Sequence, residues 1–129
     1  MSDKNLMTLS TLEDIKHSIE LIISRFKKIT SVDDFLANEN GLLLLDSISM
    51  RFVAIGEGFK NIDKLTDKKL LQEYPHIQWK GVKGIRDILS HHYFDLDAET
   101  IFDICDNNLD ELLSTTKSMI EKVKVESLR

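Results

Sequence analysis

Apolar residues along most of this chain recur every three or four positions, the spacing that places side chains on one face of an α-helix. No segment shows the two-residue alternation typical of a β-strand. The pattern therefore predicts an all-α fold, an up-and-down antiparallel helical bundle. Its helices are expected at residues 8–29, 32–37, 42–59, 66–71, 79–93 and 98–124.

Polar residues at several of these boundaries are of the types that cap helices. Ser10 and Glu13 match a capping box for the first helix, and Thr66 precedes the fourth. Asp97 is the predicted N-cap of the last helix. A pair of asparagines at residues 107–108 predicts a bend within that last helix.

Two glycines, Gly56 and Gly58, interrupt the third helix and flank Glu57. Glycine in a helix costs roughly 1 kcal/mol relative to alanine. Their presence indicates close packing of another helix against this backbone. Glu57 has two interpretations, a surface carboxylate or a buried acid that pairs with Arg86 or with a backbone donor.

The composition is that of a globular protein, with 42% hydrophobic and 30% charged residues among 129. This length predicts one domain, residues 1–129. The single cysteine, Cys105, and the lack of a Cys/His cluster predict neither a disulfide nor a zinc site, and no cofactor motif is found. The absence of an apolar signal or membrane-spanning segment predicts a cytoplasmic protein. A net charge of −5 argues against nonspecific coating of nucleic acid.

The most polar part of the predicted helix at 79–93 is the segment RDILSHHY, residues 86–93. Asp87 and His91 are four residues apart, which lets the carboxylate orient one imidazole nitrogen. Arg86 and His91 leave a helix roughly 140° apart, so they act on one substrate only if the helix ends or a second copy contributes. His92 falls nearer the core face. Taken alone, the whole segment is more typical of an ordinary amphipathic helix with a solvated polar side.

Three separated motifs, IGEG at 55–58, YPHIQW at 74–79 and GIRDILSHHYF at 84–94, resemble the HepT-like branch of the HEPN superfamily. The resemblance covers residues 46–119 and implies a small helical bundle. It further implies a metal-independent endoribonuclease toxin that forms a homodimer with a composite site. By position, Arg86 and His91 correspond to the catalytic pair, and Asp87 is the supporting polar residue. One departure is Gly58, where alanine is frequent.

The same resemblance implies that Tyr93 is modified with AMP by a cognate minimal nucleotidyltransferase antitoxin, which neutralises the toxin. The chemistry agrees with the residue types, because a histidine with a pKa near ~6.5 serves as acid or base at neutral pH. An arginine stabilises a charged phosphate. Two alternatives remain, a noncatalytic substrate-binding subunit of a nucleotidyltransferase and a plain dimerisation bundle. RNA cleavage by a His91 variant distinguishes them.

Overall fold

In the computed structural model, residues 2–89 and 97–128 are described, and within them the chain forms eight helices and no strand. The all-α prediction is confirmed. The helices are α1 (Asp3–Phe26), α2 (Val32–Leu36), α3 (Glu39–Leu65), α4 (Lys69–Gln72), α5 (Trp79–Lys83), α6 (Ile85–Leu89), α7 (Ala98–Asn107) and α8 (Leu109–Ser127).

The longest helix, α3, is the centre of the fold, and α1, α2 and α4–α7 all contact it. α1 runs antiparallel to α3, as two contacts show. The Asn61 side-chain amide donates to Thr11 Oγ1 at 3.4 Å, and Ile15 further along α1 lies against the earlier Gly58 of α3. α1 also runs antiparallel to α8. At that contact the Asn5 side chain donates to Ser127 Oγ at 3.2 Å.

The hydrophobic core lies between α1, α3, α7 and α8. Its members come from the periodic apolar positions of the sequence, which explains why the periodic pattern identified the long helices. The largest fully buried side chains include Phe35, Phe59, Leu12, Ile19, Ile22, Ile48, Ile55, Ile62, Ile101 and Met119.

The start of α1 differs from the prediction. The helix begins at Asp3, and Ser2 caps it by accepting a hydrogen bond from the Asn5 amide at 3.1 Å. Ser10 and Glu13 lie inside the helix, so the capping-box prediction was wrong. The side chains of its first turns are mostly exposed. Exposed turns lack the periodic apolar residues from which a helix is predicted.

The bounds of α3 also differ, because it extends on both sides of the predicted range. Asn38 caps its start by accepting from the Gly41 amide at 2.9 Å, and the helix continues through both internal glycines to Leu65. Thr66 was predicted to cap the next helix, and it serves both helices: its hydroxyl donates to the Ile62 carbonyl of α3 at 2.8 Å and accepts from the Leu70 amide of α4 at 3.4 Å. α4 itself begins at Lys69. A threonine hydroxyl can serve either helix end, so the sequence left the direction open.

The single helix predicted at 98–124 is two helices, although its start is as predicted. Asp97 caps α7 by accepting from the Thr100 amide at 3.0 Å and from its hydroxyl at 2.6 Å. The predicted bend is a break, with α7 ending at Asn107 and α8 beginning after Asn108. None of the helices within residues 2–89 and 97–128 is long and apolar enough to cross a membrane.

The predicted continuous helix at 79–93 is not continuous. Gly84, at φ −96° and ψ 12°, separates α5 from α6. Its amide still bonds to Lys80 O at 3.0 Å, but its carbonyl accepts from Asp87 three residues on, at 3.0 Å, which tightens the chain. Glycine is a weak helix former, and the apolar spacing of the segment concealed the break. The predicted residues 90–93 lie outside the described part of the chain.

Candidate functional site

The α5–α6 turn lies directly on the backbone of α3. A Cβ atom built on Gly56 would be 2.7 Å from Val82 O and 3.0 Å from Ile85 Cγ2. The predicted close backbone approach at this glycine is thus confirmed. Ile85 and Leu89 are buried and Val82 is partly buried, as the apolar face of the segment predicted. This packing leaves the opposite side of α6 exposed.

Arg86 is on that exposed side, beside Glu57 of α3. Its Nε lies 3.7 Å from Glu57 Oε1, and the two side chains are 62% and 45% exposed. Lys60 Nζ lies 3.5 Å from the same carboxylate oxygen. Glu57 is therefore a surface carboxylate that pairs with Arg86, which combines one part of each of its two interpretations. An exposed pair of this kind adds at most about 1 kcal/mol of stability, so its main effect is on where the guanidinium points.

The other predicted site residues are only partly described. Asp87 is exposed on α6, next to Arg86 in the chain, and its amide contributes to the Gly84 turn. His91 and Tyr93, together with the predicted core residue His92, lie outside the described residues. The structure therefore places the arginine and the acid of the predicted site and does not test the histidine, the tyrosine or the Asp87–His91 contact.

A second ion pair joins Asp63 of α3 to Lys83, which precedes Arg86 by three residues. Lys83 Nζ is 2.5 Å from Asp63 Oδ2, and their side chains are 30% and 11% exposed. Asp63 was not predicted from the sequence, because it pairs with a residue of another helix twenty positions along the chain. A signal was present, since Asp63 is seven residues after Gly56 and so lies on the same stripe of α3.

The segment before α5 is anchored on two sides. The Trp79 indole donates to Tyr74 O at 2.9 Å and its ring lies 4.8 Å from that of Phe59, centroid to centroid. His76 Nε2 is 3.0 Å from Thr115 Oγ1 on α8. Burial raises the pKa of the Tyr74 phenol. The residues that enter α5 are therefore held against both α3 and α8.

An apolar cavity of about 270 Å³ lies between α3, the α5–α6 turn and the α7–α8 junction. Ile85 and Ile88 of α6 line it, with Phe52 and Ile55 from α3 and polar groups at residues such as His76. α6 thus has an apolar side toward this cavity and a charged side at Arg86.

The described residues include no group of three or more His, Cys, Asp or Glu side chains that could hold a metal ion. Cys105 is buried, and burial raises the pKa of its thiol to about 12. A thiol with so high a pKa stays protonated near neutral pH and is a poor nucleophile or metal ligand.

Comparison with known proteins places this chain among ribonucleases. A family model described as ribonuclease HepT-like matches residues 15–119. A protein named "Probable ribonuclease HepT" from Thermococcus cleftensis is 31% identical over 113 residues, 88% of this chain and 92% of that protein. A "Putative RNase" from Methanocaldococcus jannaschii is 29% identical over 115 residues, 89% of this chain and 88% of that protein. No solved structure matches this chain at a significant level.

Proposed function

This chain belongs to the ribonuclease HepT-like family, and we propose that it is a cytoplasmic toxin that cleaves RNA internally without a metal ion. Residues 1–129 would form a single HepT-like domain. The observation that supports this most directly is the position of Arg86, exposed at the end of a tightly packed turn and next to Glu57. A guanidinium held at the surface in this way can meet a phosphate with two parallel donors.

In the proposed reaction His91 is the acid or base and Arg86 the electrostatic catalyst. Cleavage of RNA without metal requires a base for the ribose 2′-OH, an acid for the departing 5′-oxygen and positive charge at the phosphate. Histidine suits either proton transfer near neutral pH. Asp87 is the supporting group, which would orient the imidazole through a hydrogen bond.

We further propose that two copies join to complete the site. Leu43 and Met50 on α3 are 58% and 67% exposed and lie seven residues apart, on one stripe of the helix. Glu57 is seven residues further along the same stripe, so the exposed apolar surface leads to the Glu57–Arg86 pair. A two-fold interface along this stripe would bring the two candidate sites together.

The partner that controls this activity is proposed to be a nucleotidyltransferase antitoxin that attaches AMP to Tyr93. The adduct would add a bulky group and a negative phosphodiester close in sequence to Arg86. Its phosphate would compete with RNA for the same donors, while its adenosine would block access. Activity would be lost without unfolding.

An RNA cleavage assay in the presence of EDTA tests the enzymatic proposal. The wild type is expected to cut single-stranded RNA, and His91→Ala to lose at least ~100-fold in rate. His17→Ala is the matched control, because His17 is exposed on α1 and outside the candidate site. Equal loss in both variants would reject the assignment of His91. A wild type that binds RNA and does not cut it would favour the noncatalytic binding subunit.

The antitoxin proposal is tested by mass spectrometry after incubation with a cognate nucleotidyltransferase and ATP. We expect AMP-sized additions on the wild type and none on Tyr93→Phe, which should still cut RNA and escape neutralisation. Tyr74→Phe serves as the matched control and should be modified normally. Modification of Tyr93→Phe would refute the assignment.

Light scattering tests the dimer. The wild type is expected to be a dimer at micromolar concentration, and Met50→Asp to be a monomer with reduced RNA cleavage. Leu128→Asp is the control, since Leu128 is 86% exposed on the last turn after α8 and is outside the stripe. A monomeric wild type would refute the composite site, and a dimeric Met50→Asp would exclude this stripe as the interface.

A further inference from the structure

We propose that Asp63 and Lys83 form a positioning pair that fixes the orientation of α6 and, through it, of Arg86. The inference rests on the proposed function, in which Arg86 contacts the RNA phosphate. Lys83 pairs with Asp63 and Arg86 with Glu57, so the effect of the first pair on the reaction would be transmitted by the backbone of the α5–α6 turn.

The geometry of the pair indicates a strong contact. Lys83 Nζ and Asp63 Oδ2 are 2.5 Å apart, and the aspartate side chain is only 11% exposed. Charges shielded from water in this way attract more strongly than an exposed pair. By comparison, the Arg86–Glu57 pair is longer, 3.7 Å, and much more exposed. The Asp63–Lys83 pair, which is shorter and less exposed, is therefore the firmer of the two ion pairs between α3 and this turn.

The pair and the glycine contact together attach the turn at two separate points. Gly56 and Asp63 are seven residues apart, so they lie on one stripe of α3, about 10 Å from each other along the helix. Val82 and Ile85 pack at the first point, and Lys83 reaches the second. One contact alone would let the turn pivot on α3, whereas two fix its direction.

α5 needs such attachment because it is only five residues long and is separated from α6 at Gly84. Short helices have few internal hydrogen bonds and depend on packing for their stability. Arg86 follows Lys83 by three residues across the Gly84 break. A pivot of the turn would therefore move the guanidinium, and a misplacement of about 1 Å can cost up to ~100-fold in rate.

The decisive experiment removes the lysine charge while keeping most of its length. We expect Lys83→Met to lower the single-turnover rate of RNA cleavage about 10- to 100-fold with KM little changed. Lys64→Met is the matched control, because it removes the same charge from an exposed position on α3. Its rate should stay within about twofold of the wild type. All rates are measured below the temperature at which any variant begins to unfold.

A double-mutant cycle separates positioning of Arg86 from a general structural effect. If Lys83 acts through Arg86, Lys83→Met should change the rate less than about twofold in an Arg86→Lys background. A full additional loss there would overturn the proposal. Should Lys83→Met fail to fold because its aspartate is left unpaired, the double variant Asp63→Asn, Lys83→Met replaces it, since it leaves no buried carboxylate without a partner.

Hydrogen exchange gives a measure that does not need activity. The amides of Asp87 and Ile88, which bond to Gly84 O, should exchange about tenfold faster in Lys83→Met and at the wild-type rate in Lys64→Met. Unchanged exchange would overturn the positioning role. A wild type that cuts no RNA but shows the faster exchange in Lys83→Met would refute the proposed function and keep the coupling between the pair and α6.

Discussion

Substitution of Gly56 by alanine should loosen the contact on which the candidate site is built. The new Cβ would lie 2.7 Å from the carbonyl oxygen of Val82 and 3.0 Å from Ile85 Cγ2. The first of these is a backbone atom and cannot move aside by rotating. The α5–α6 turn must therefore shift away from α3 as a unit.

The energetic consequence can be worked out from two opposing terms. Overpacking of a close contact costs about 1–3 kcal/mol, and replacing a helical glycine by alanine returns about 1 kcal/mol. We therefore expect Gly56→Ala to lower the free energy of unfolding by up to about 2 kcal/mol. The same shift would displace Arg86, so RNA cleavage should fall more than stability alone explains.

Two other glycines provide matched controls. A Cβ on Gly58 would meet Cγ1 and Cδ1 of Ile15, at 2.8 and 2.9 Å, and Ile15 is a buried, β-branched side chain of α1 with little freedom to move. Gly58→Ala should therefore also lower the free energy of unfolding, by up to about 2 kcal/mol, but at a contact with α1 and not with the α5–α6 turn. A Cβ on Gly81 would meet no atom within 4 Å, so Gly81→Ala should stabilise the protein by up to about 1 kcal/mol.

Urea denaturation followed by circular dichroism measures all three variants under one extrapolation. We expect Gly81→Ala to be more stable than both Gly58→Ala and Gly56→Ala. A Gly56→Ala protein as stable as Gly81→Ala would show that the α5–α6 turn is not in close contact with α3. It would also refute the expected displacement of Arg86.

Three further outcomes are expected. Leu89→Ala should lower the free energy of unfolding by about 2–5 kcal/mol, because Leu89 is 3% exposed, whereas His91→Ala should abolish cleavage and leave the urea midpoint near that of the wild type. Arg86→Lys should lower the cleavage rate at least ~100-fold although the charge is kept, since lysine lacks the planar fork; a near-normal rate would reduce Arg86 to a screening charge. The pKa of Asp34 lies below its ordinary value, chiefly through the hydrogen bond from the Thr30 amide. A carboxyl whose pKa is lowered in the folded state stabilises the protein above its unfolded pKa, and this stability is lost as the pH falls through the folded pKa. Asp34→Asn should therefore reduce the loss of stability at acid pH in a plot of unfolding free energy against pH. An unchanged acid part of that plot would show that this contact contributes nothing to stability.

The sequence predicted the long helices well because their burial is one-sided. Ile15, Ile55 and Ile120 each recur with neighbours at helical spacing, and each is buried. Breaks and pairings were harder to predict. Gly84 interrupts a segment whose apolar spacing is uninterrupted, and no local signal says that Lys83 reaches Asp63.

Of the candidate site, the sequence allowed only the residues of the motif to be predicted. Arg86 and Asp87 were found by their place in the sequence, and their exposure on α6 agrees with that prediction. Glu57 was correctly considered as a partner of Arg86, but its exposure could not be deduced, because that depends on how α6 crosses α3. The assignments of His91 and Tyr93 stay predictions.

The hydrogen bond between Asn5 and Ser127 joins residues 122 positions apart, which has a consequence for the folding of the chain. Closing so long a loop has a high entropic cost, and contacts between distant segments form slowly. Trp79 against Phe59, by contrast, closes a loop of about twenty residues. The single tryptophan should therefore report an early step in refolding, and a fluorophore pair on Asn5 and Ser127 a later one.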